Sequence, residues 1–187
     1  MNISAVLLAG GESRRMGQDK ATLLFRGRPL WQIQLNLLRK MQPEEIFLSA
    51  RTDPKWRPSD VQFVPDEAPS RGPLSGLLAT LQQIHTDHLL VLAIDMPFMT
   101  LEYLRSLCDQ AGPSRGVVPM IADRAEPLAA IYPKCTHLDL VAALSREEFS
   151  LQSVIKKLLL ADMLRLAKVS NDDETLFRNL NEPRDFI

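Results

Sequence analysis

The run ISAVLLAGGESRRMGQDK, residues 3–20, decides the fold. Its first seven residues are apolar apart from Ser4, and they end at the pair Gly10-Gly11. A short, nearly continuous apolar run of this kind fits a strand buried on both faces, as in a parallel sheet covered by helices. The glycines directly behind it let backbone N–H groups come close to an anion and cradle it. Arg15 offers a planar fork of donors and Lys20 a compact charge, a pair suited to several phosphates at once. The spacing is not that of a P-loop, because five residues separate Gly11 from Gly17 and Asp19-Lys20-Ala21 follows. No G-x-G-x-x-G dinucleotide fingerprint is present either. A flexible turn with a solvated basic face is the plain alternative. The strand, three glycines, two arginines and Asp-Lys together favour phosphate binding.

Outward from this run, helical and strand patterns alternate. Trp31, Leu35 and Leu38 recur at helical spacing behind Pro29, which is placed in the first helical turn. Strands are expected at 46–50, 61–64 and 89–94, with a helix over 73–85 between the last two. Thr100 is a candidate N-cap for a helix reaching about residue 110, which Gly112-Pro113 closes. Further strands are expected at 116–121, 127–132 and 164–169, with a helix after Ser150 and a short helical turn after Glu182. Alternation over the first hundred residues implies right-handed crossovers and a mostly parallel central sheet with helices on both faces. The fold class is therefore α/β, in three layers. In such sheets ligands bind beyond the carboxyl ends of the strands. That singles out 10–20, Arg51, Asp66 and Asp95. The strand order of the second half is not readable from the pattern.

The chain has 187 residues, 45% hydrophobic and 24% charged, which suits one domain over 1–187. Its formal charge of −1 excludes binding to nucleic acid by bulk charge, so an anionic ligand needs a local site. Two cysteines, Cys108 and Cys135, make neither a disulfide framework nor a zinc motif. The longest apolar run, 89–94, is far short of the ~20 residues of a membrane span. The first residues lack the basic region of a signal peptide. A cytoplasmic protein is expected. His85, His88 and His137 have no ligand spacing and are expected to be structural or exposed.

Asp95 closes the clearest strand and precedes Met96-Pro97. There it could hold Mg²⁺, which takes oxygen ligands and keeps several waters, or it could cap the following turn. Asp19 is a lesser carboxylate, expected to pair with Arg15 or Lys20. Asp66 by itself reads as a loop aspartate.

The motif L-A-G-G-x-S-x-R-M-G-x-D-K over residues 8–20 resembles the opening signature of the molybdenum cofactor guanylyltransferases and related nucleotidyltransferases. The resemblance continues in family order. It runs through Gly27-x-Pro29-Leu30, Asp66 with Gly72-Pro73-Leu74-x-Gly76, Asp95-Met96-Pro97, Glu126-Pro127-Leu128 and Asn179-x-Asn181-x-Pro183. It implies a Rossmann-like nucleotidyltransferase fold, with GTP and Mg²⁺ as requirements. The implied reaction is transfer of GMP to the phosphate of molybdopterin, giving molybdopterin guanine dinucleotide and pyrophosphate. It further implies that Leu8, Ala9, Gly10, Gly11, Lys20, Asp66 and Asp95 bind the nucleotide, with Asp95 also on the metal. Arg15 and Lys20 are assigned to the triphosphate, and Asn179 and Asn181 to the pterin side of the cleft. Arg51 stands where the family commonly has a nucleotide-contacting Asn. That substitution motivates an alternative of the same chemistry: a molybdopterin cytidylyltransferase, or an enzyme using CTP or a sugar phosphate. A nucleotide-binding adaptor without catalysis is the reading from another class. Molybdoenzymes or cofactor-insertion proteins are the partners that the resemblance suggests.

Overall fold

A computed structural model describes residues 2–10, 19–66, 72–145 and 150–180. The opening strand β1 (Ile3–Leu8) is buried along its whole length. A two-strand hairpin follows, β2 (Leu24–Phe25) and β3 (Arg28–Pro29), joined by Arg26 at φ 52° and Gly27 at φ 76°. Two consecutive positive φ values make the turn that suits the twist of paired strands. Helix α1 (Leu30–Lys40) then begins one residue later than expected. Pro29 is not inside it. Pro29 is extended, at ψ 143°, and serves as the N-cap, because it also pairs with Leu24 in the hairpin.

The next elements are β4 (Ile46–Ala50), β5 (Gln62–Pro65), α2 (Pro73–Gln83) and β6 (His88–Ala93). Helix α3 (Leu101–Gln110) starts at Thr100, whose hydroxyl accepts the Tyr103 N–H as a cap should. Strands β7 (Gly116–Ile121), β8 (Arg124–Ala125) and β9 (Ala129–Pro133) come next. Helices α4 (His137–Ser145) and α5 (Leu151–Leu160) precede β10 (Leu164–Lys168). Ser150 precedes α5 as expected but makes no side-chain cap hydrogen bond. Helix α4 was not foreseen. The expected turn after Glu182 lies outside the described residues.

The main sheet runs β10-β7-β9-β6-β1-β4-β5, with β8 paired to β7. β1 is parallel to both β4 and β6, β4 is parallel to β5, and β10 is parallel to β7. Only β9 and β8 run against their neighbours. The sheet is thus mostly parallel, with β9 threaded between β6 and β7. Leu30, Leu35 and Leu38 of α1 and Leu104 and Leu107 of α3 pack on one face. Leu74, Leu77 and Leu81 of α2, Leu140 of α4 and Val154 and Leu158 of α5 cover the other. Three layers result, and each buried strand is apolar on both faces for that reason.

The order matters for ligands. From β1 the chain moves outward through β4 and β5, then crosses back by α2 to β6 on the other side of β1. The winding reverses between β1 and β6, and the crevice beyond their carboxyl ends is where such sheets hold ligands.

Candidate active site

Four strands deliver polar residues to that crevice. Ladder bonds continue past the strand ends and hold the loops there: Ala9 N–H to Ser49 O at 2.9 Å, Ile94 N–H to Leu8 O at 3.0 Å, and Asp66 N–H to Ala50 O at 3.0 Å. Gly10 therefore leaves β1 directly beside Asp66. A Cβ at Gly10 would overlap the Asp66 carboxylate, so only glycine allows this approach. Asp66 is fixed from its other side by the Ser49 hydroxyl, which donates to Oδ1 at 2.7 Å. Gly76 in the first turns of α2 is equally tight, since a Cβ there would crowd Ser49 Oγ. Two of the sequence motifs thus meet around one carboxylate.

Lys20 opens a short 3-10 turn, Lys20–Thr22. Its Nζ donates to Asp95 Oδ2 at 3.1 Å, spanning the crevice between that turn and the end of β6. Both side chains are about one-fifth exposed, enough for a ligand to reach them. The aspartate after β6 and the lysine of the opening signature are thereby adjacent although they lie 75 positions apart in sequence.

Arg15, one expected partner of Asp19, lies outside the described residues, and Asp19 does not pair with the other, Lys20. Its Oδ1 accepts the Ala21 N–H and starts the 3-10 turn, and its Oδ2 accepts Trp56 Nε1–H at 2.8 Å. An Asp at this position caps its own turn readily, so Lys20 is turned toward Asp95 instead. Leu8, Ala9, Gly10, Lys20, Asp66 and Asp95 are all brought to the crevice. Gly11 and Arg15 lie outside the described residues, as does Asn181.

Two cavities flank this centre. One, of about 140 Å³, is lined by Gly10, Asp19, Ala50, Arg51 and Trp56. The other, of about 330 Å³, is lined by Met96, Arg124, Glu126, Gln152 and Asn179. Asn179 is held there because the next residue, Leu180, donates its N–H to Asp95 O at 2.9 Å. Burial pushes the Glu126 carboxyl above its usual range, and Arg124 draws it only part of the way back. Sequence reasoning missed Trp56 and Ser49. A tryptophan in the polar, proline-bounded loop PKWRP was the available signal for the first. Ser49, inside a strand, gave none.

The other conspicuous groups lie elsewhere. An apolar cavity of about 550 Å³ around Leu81, Cys135 and Leu138 sits at the opposite end of the sheet, where Lys134 N–H bonds Asp87 O. Its lysine is committed to the Ile84 carbonyl at 2.6 Å. Among the described residues no three His, Cys, Asp or Glu side chains group as a metal cage. Asp95 is instead a single carboxylate in an open crevice. That donor set does not suit zinc. It fits Mg²⁺, which is commonly held by one or two carboxylates together with substrate phosphates.

Residues 5–163 match the family described as MobA-like NTP transferase domain. The chain is 34% identical to a probable molybdenum cofactor guanylyltransferase of Opitutus terrae, over 98% of this chain and 92% of that one. It is 33% identical to a molybdenum cofactor guanylyltransferase of Syntrophotalea carbinolica, over 98% and 88%. In solved structures, its fold resembles a molybdopterin-guanine dinucleotide biosynthesis protein A from Archaeoglobus fulgidus. The TM-score there is 0.77 at 23% identity, covering 98% of this chain and 94% of that one. A 2-C-methyl-D-erythritol 4-phosphate cytidylyltransferase from Thermus thermophilus has the same fold, with TM-score 0.69, 16% identity and coverage of 97% and 94%.

Proposed function

The chain belongs to the MobA-like NTP transferase family, and from that premise we propose that it transfers GMP from GTP to the phosphate of molybdopterin. The products are molybdopterin guanine dinucleotide and pyrophosphate. The observation that carries this reading is the Lys20–Asp95 pair, set beside Gly10 where the winding of the sheet reverses.

An acceptor phosphate oxygen attacks the α-phosphorus of GTP in line, and the bond to the β-phosphate bridging oxygen breaks. A phosphate monoester has a second pKa of about 6, so the nucleophile is already ionised at neutral pH. No general base is required, and among the described residues no His or Cys lies in the crevice to act as one. What the chain must supply is positioning and stabilisation of charge.

Lys20 serves the triphosphate. In the ligand-free pair its ammonium rests on Asp95, and a bound triphosphate competes for the same donors. Gly10, without a Cβ, lets its backbone approach the phosphates, and Gly11 is assigned to the same role from its place in the sequence motif. Arg15 adds a second cation to the leaving pyrophosphate. Asp66, held by Ser49, accepts hydrogen bonds from the nucleotide. Asp95 is the ligand for a divalent ion, which we take to be Mg²⁺. When bound, that ion neutralises charge on the phosphate oxygens. The Asn179 cavity is the larger of the two flanking the centre, and it receives the acceptor.

The test is pyrophosphate release from GTP with molybdopterin and Mg²⁺. Lys20→Ala and Asp95→Ala are expected to lower kcat by roughly 100-fold or more, as loss of one transition-state donor does elsewhere. Both variants should keep the wild-type melting transition. Normal turnover in either folded variant overturns the assignment.

A further inference from the structure

We propose that Trp56 is a nucleoside-binding residue, the wall against which the guanine ring packs, and that Asp19 is the positioning residue that ties this wall to Lys20. The proposal rests on the functional reading above and adds the side chain that recognises the base.

The reaction brings two organic ends to one phosphorus centre, the base of the donor and the ring system of the acceptor. Two cavities flank Lys20 and Asp95, and they differ in kind. The one around Trp56, about 140 Å³, is well below the ~300 Å³ at which pockets for drug-sized ligands begin. It suits a single planar ring system. It is also the one with an aromatic wall.

That wall is braced on two sides. Trp31, on α1, stacks on Trp56 with ring centroids 5.5 Å apart and 16° between planes. The indole N–H is bound to Asp19 Oδ2 at 2.8 Å. An exposed loop tryptophan with neither restraint would lose rotamer freedom on binding a ring. This one is already ordered, so stacking costs less.

Asp19 does two things at once. Its Oδ2 holds the indole, and its Oδ1 accepts the Ala21 N–H that begins the turn carrying Lys20. The ring contact and the phosphate-binding ammonium are therefore adjacent branches of one hydrogen-bonded unit. Arg51 lines the same cavity. A guanidinium donates in a fork, and guanine presents the two acceptors O6 and N7 that match it. Cytosine offers a smaller ring to the wall, and its adjacent acceptors, O2 and N3, lie along a different edge of the base.

The chain has two tryptophans, and both are in this stack. Indole emission of the whole protein thus reports on the cavity. In Trp31→Phe, Trp56 is the sole emitter, and GTP with Mg²⁺ should quench it saturably at the dissociation constant given by calorimetry. In Trp56→Ala the KM for GTP should rise roughly 5- to 100-fold, the range of base–aromatic stacking. There kcat should change by less than about threefold, since the contact is the same in ground and transition states. The preference for GTP over CTP should fall. Trp56→Phe, which keeps a ring without the N–H, should restore most of the preference. If Trp56→Ala fails to show a wild-type melt, Trp31→Phe emission and Trp56→Phe kinetics decide. Calorimetric binding of GTP with flat Trp56 emission and an unchanged GTP/CTP ratio overturns the inference alone. No uptake of any nucleoside triphosphate by the wild-type chain overturns the functional reading, and this inference with it.

Discussion

Gly10 shows how closely a single residue can be constrained. A methyl group at this position would have to occupy the place of Asp66 Oδ2, and Asp66 can retreat only by giving up its hydrogen bond from Ser49. Gly10→Ala should therefore displace the carboxylate rather than unfold the sheet. The expected result is a loss of GTP affinity of at least roughly tenfold, read by calorimetry, with the melting temperature lowered by only a few degrees. Ser49→Ala tests the same unit more gently. It removes one hydrogen bond to a charged acceptor, worth about 1.5–3 kcal/mol at a buried site, and frees Asp66 to turn. Of these residues, Gly10, Lys20, Asp66 and Asp95 were legible in the sequence. They sit directly after strands or in a long motif, where polarity breaks an apolar pattern. Ser49 was not, because one serine inside a strand carries no such contrast. Asp19 was read as a partner of Arg15 or Lys20, whereas its side-chain contacts among the described residues are to an amide and an indole. Which acceptor–donor pair a carboxylate chooses depends on the loop that comes to face it, here the one carrying Trp56.

At the level of elements, local patterning was a reliable guide wherever an element satisfies its own rules. Thr100 shows this for α3, since its hydroxyl meets the Tyr103 N–H. Thr100→Ala should cost about 1 kcal/mol, measurable as a lowered denaturation midpoint with an unchanged slope. Helix α4 escaped notice for a physical reason. Leu138 is 71% exposed while Leu140 and Ala143 are buried, so its apolar residues do not form one stripe. The antiparallel course of β9 was equally hidden, because alternation and apolar runs carry no information about strand direction. That direction is specified by contact, and Gly116 is where it shows. A Cβ on Gly116 would overlap the Ile131 carbonyl of β9 and press on Leu164 of β10. Gly116→Ala should force β7 and β9 apart and cost about 1–3 kcal/mol, the usual penalty for overpacking. Chemical denaturation checks this. A neutral result would mean that the two strands are not as close as described.

Taken whole, the molecule separates its candidate site from a second polar cluster along the length of its sheet. The carboxyl ends of β1 and β6 carry Gly10, Lys20 and Asp95, while their amino ends carry a polar cluster of a different kind. There Ser4 donates to Glu45 Oε2 at 2.8 Å and exchanges a hydrogen bond with Thr86, and the His85 backbone N–H and ring also reach Glu45. Burial works to raise the Glu45 carboxyl, but the His85 and Ser4 contacts outweigh it and hold it below its ordinary 4.5. At the first position of β6, His88 is 2% exposed, with neither ring nitrogen hydrogen-bonded among the described residues. Burial pushes its pKa below the ordinary 6.5, and the Gly112 backbone and the charge of Asp87 offset this only in part. Both shifts act in the same direction on acidification, but in different windows. An unfolded imidazole takes up its proton as pH falls through 6.5, whereas the folded one waits until a lower pH. Between those two values the unfolded chain binds more protons, so stability falls as the pH falls. Glu45 adds a second loss, beginning near 4.5 and completed as its lowered folded value is passed. The expected contribution of these two groups to the melting temperature is level above about pH 7 and declines first below 6.5. His88→Met, similar in bulk and without a titrating group, should flatten the decline between 6.5 and 4.5 while leaving the steeper loss below it. Glu45→Gln should do the reverse. Since neither residue lies in the crevice, GTP affinity at pH 7.5 should stay within about twofold in both variants, and a larger change would break the separation of the two ends.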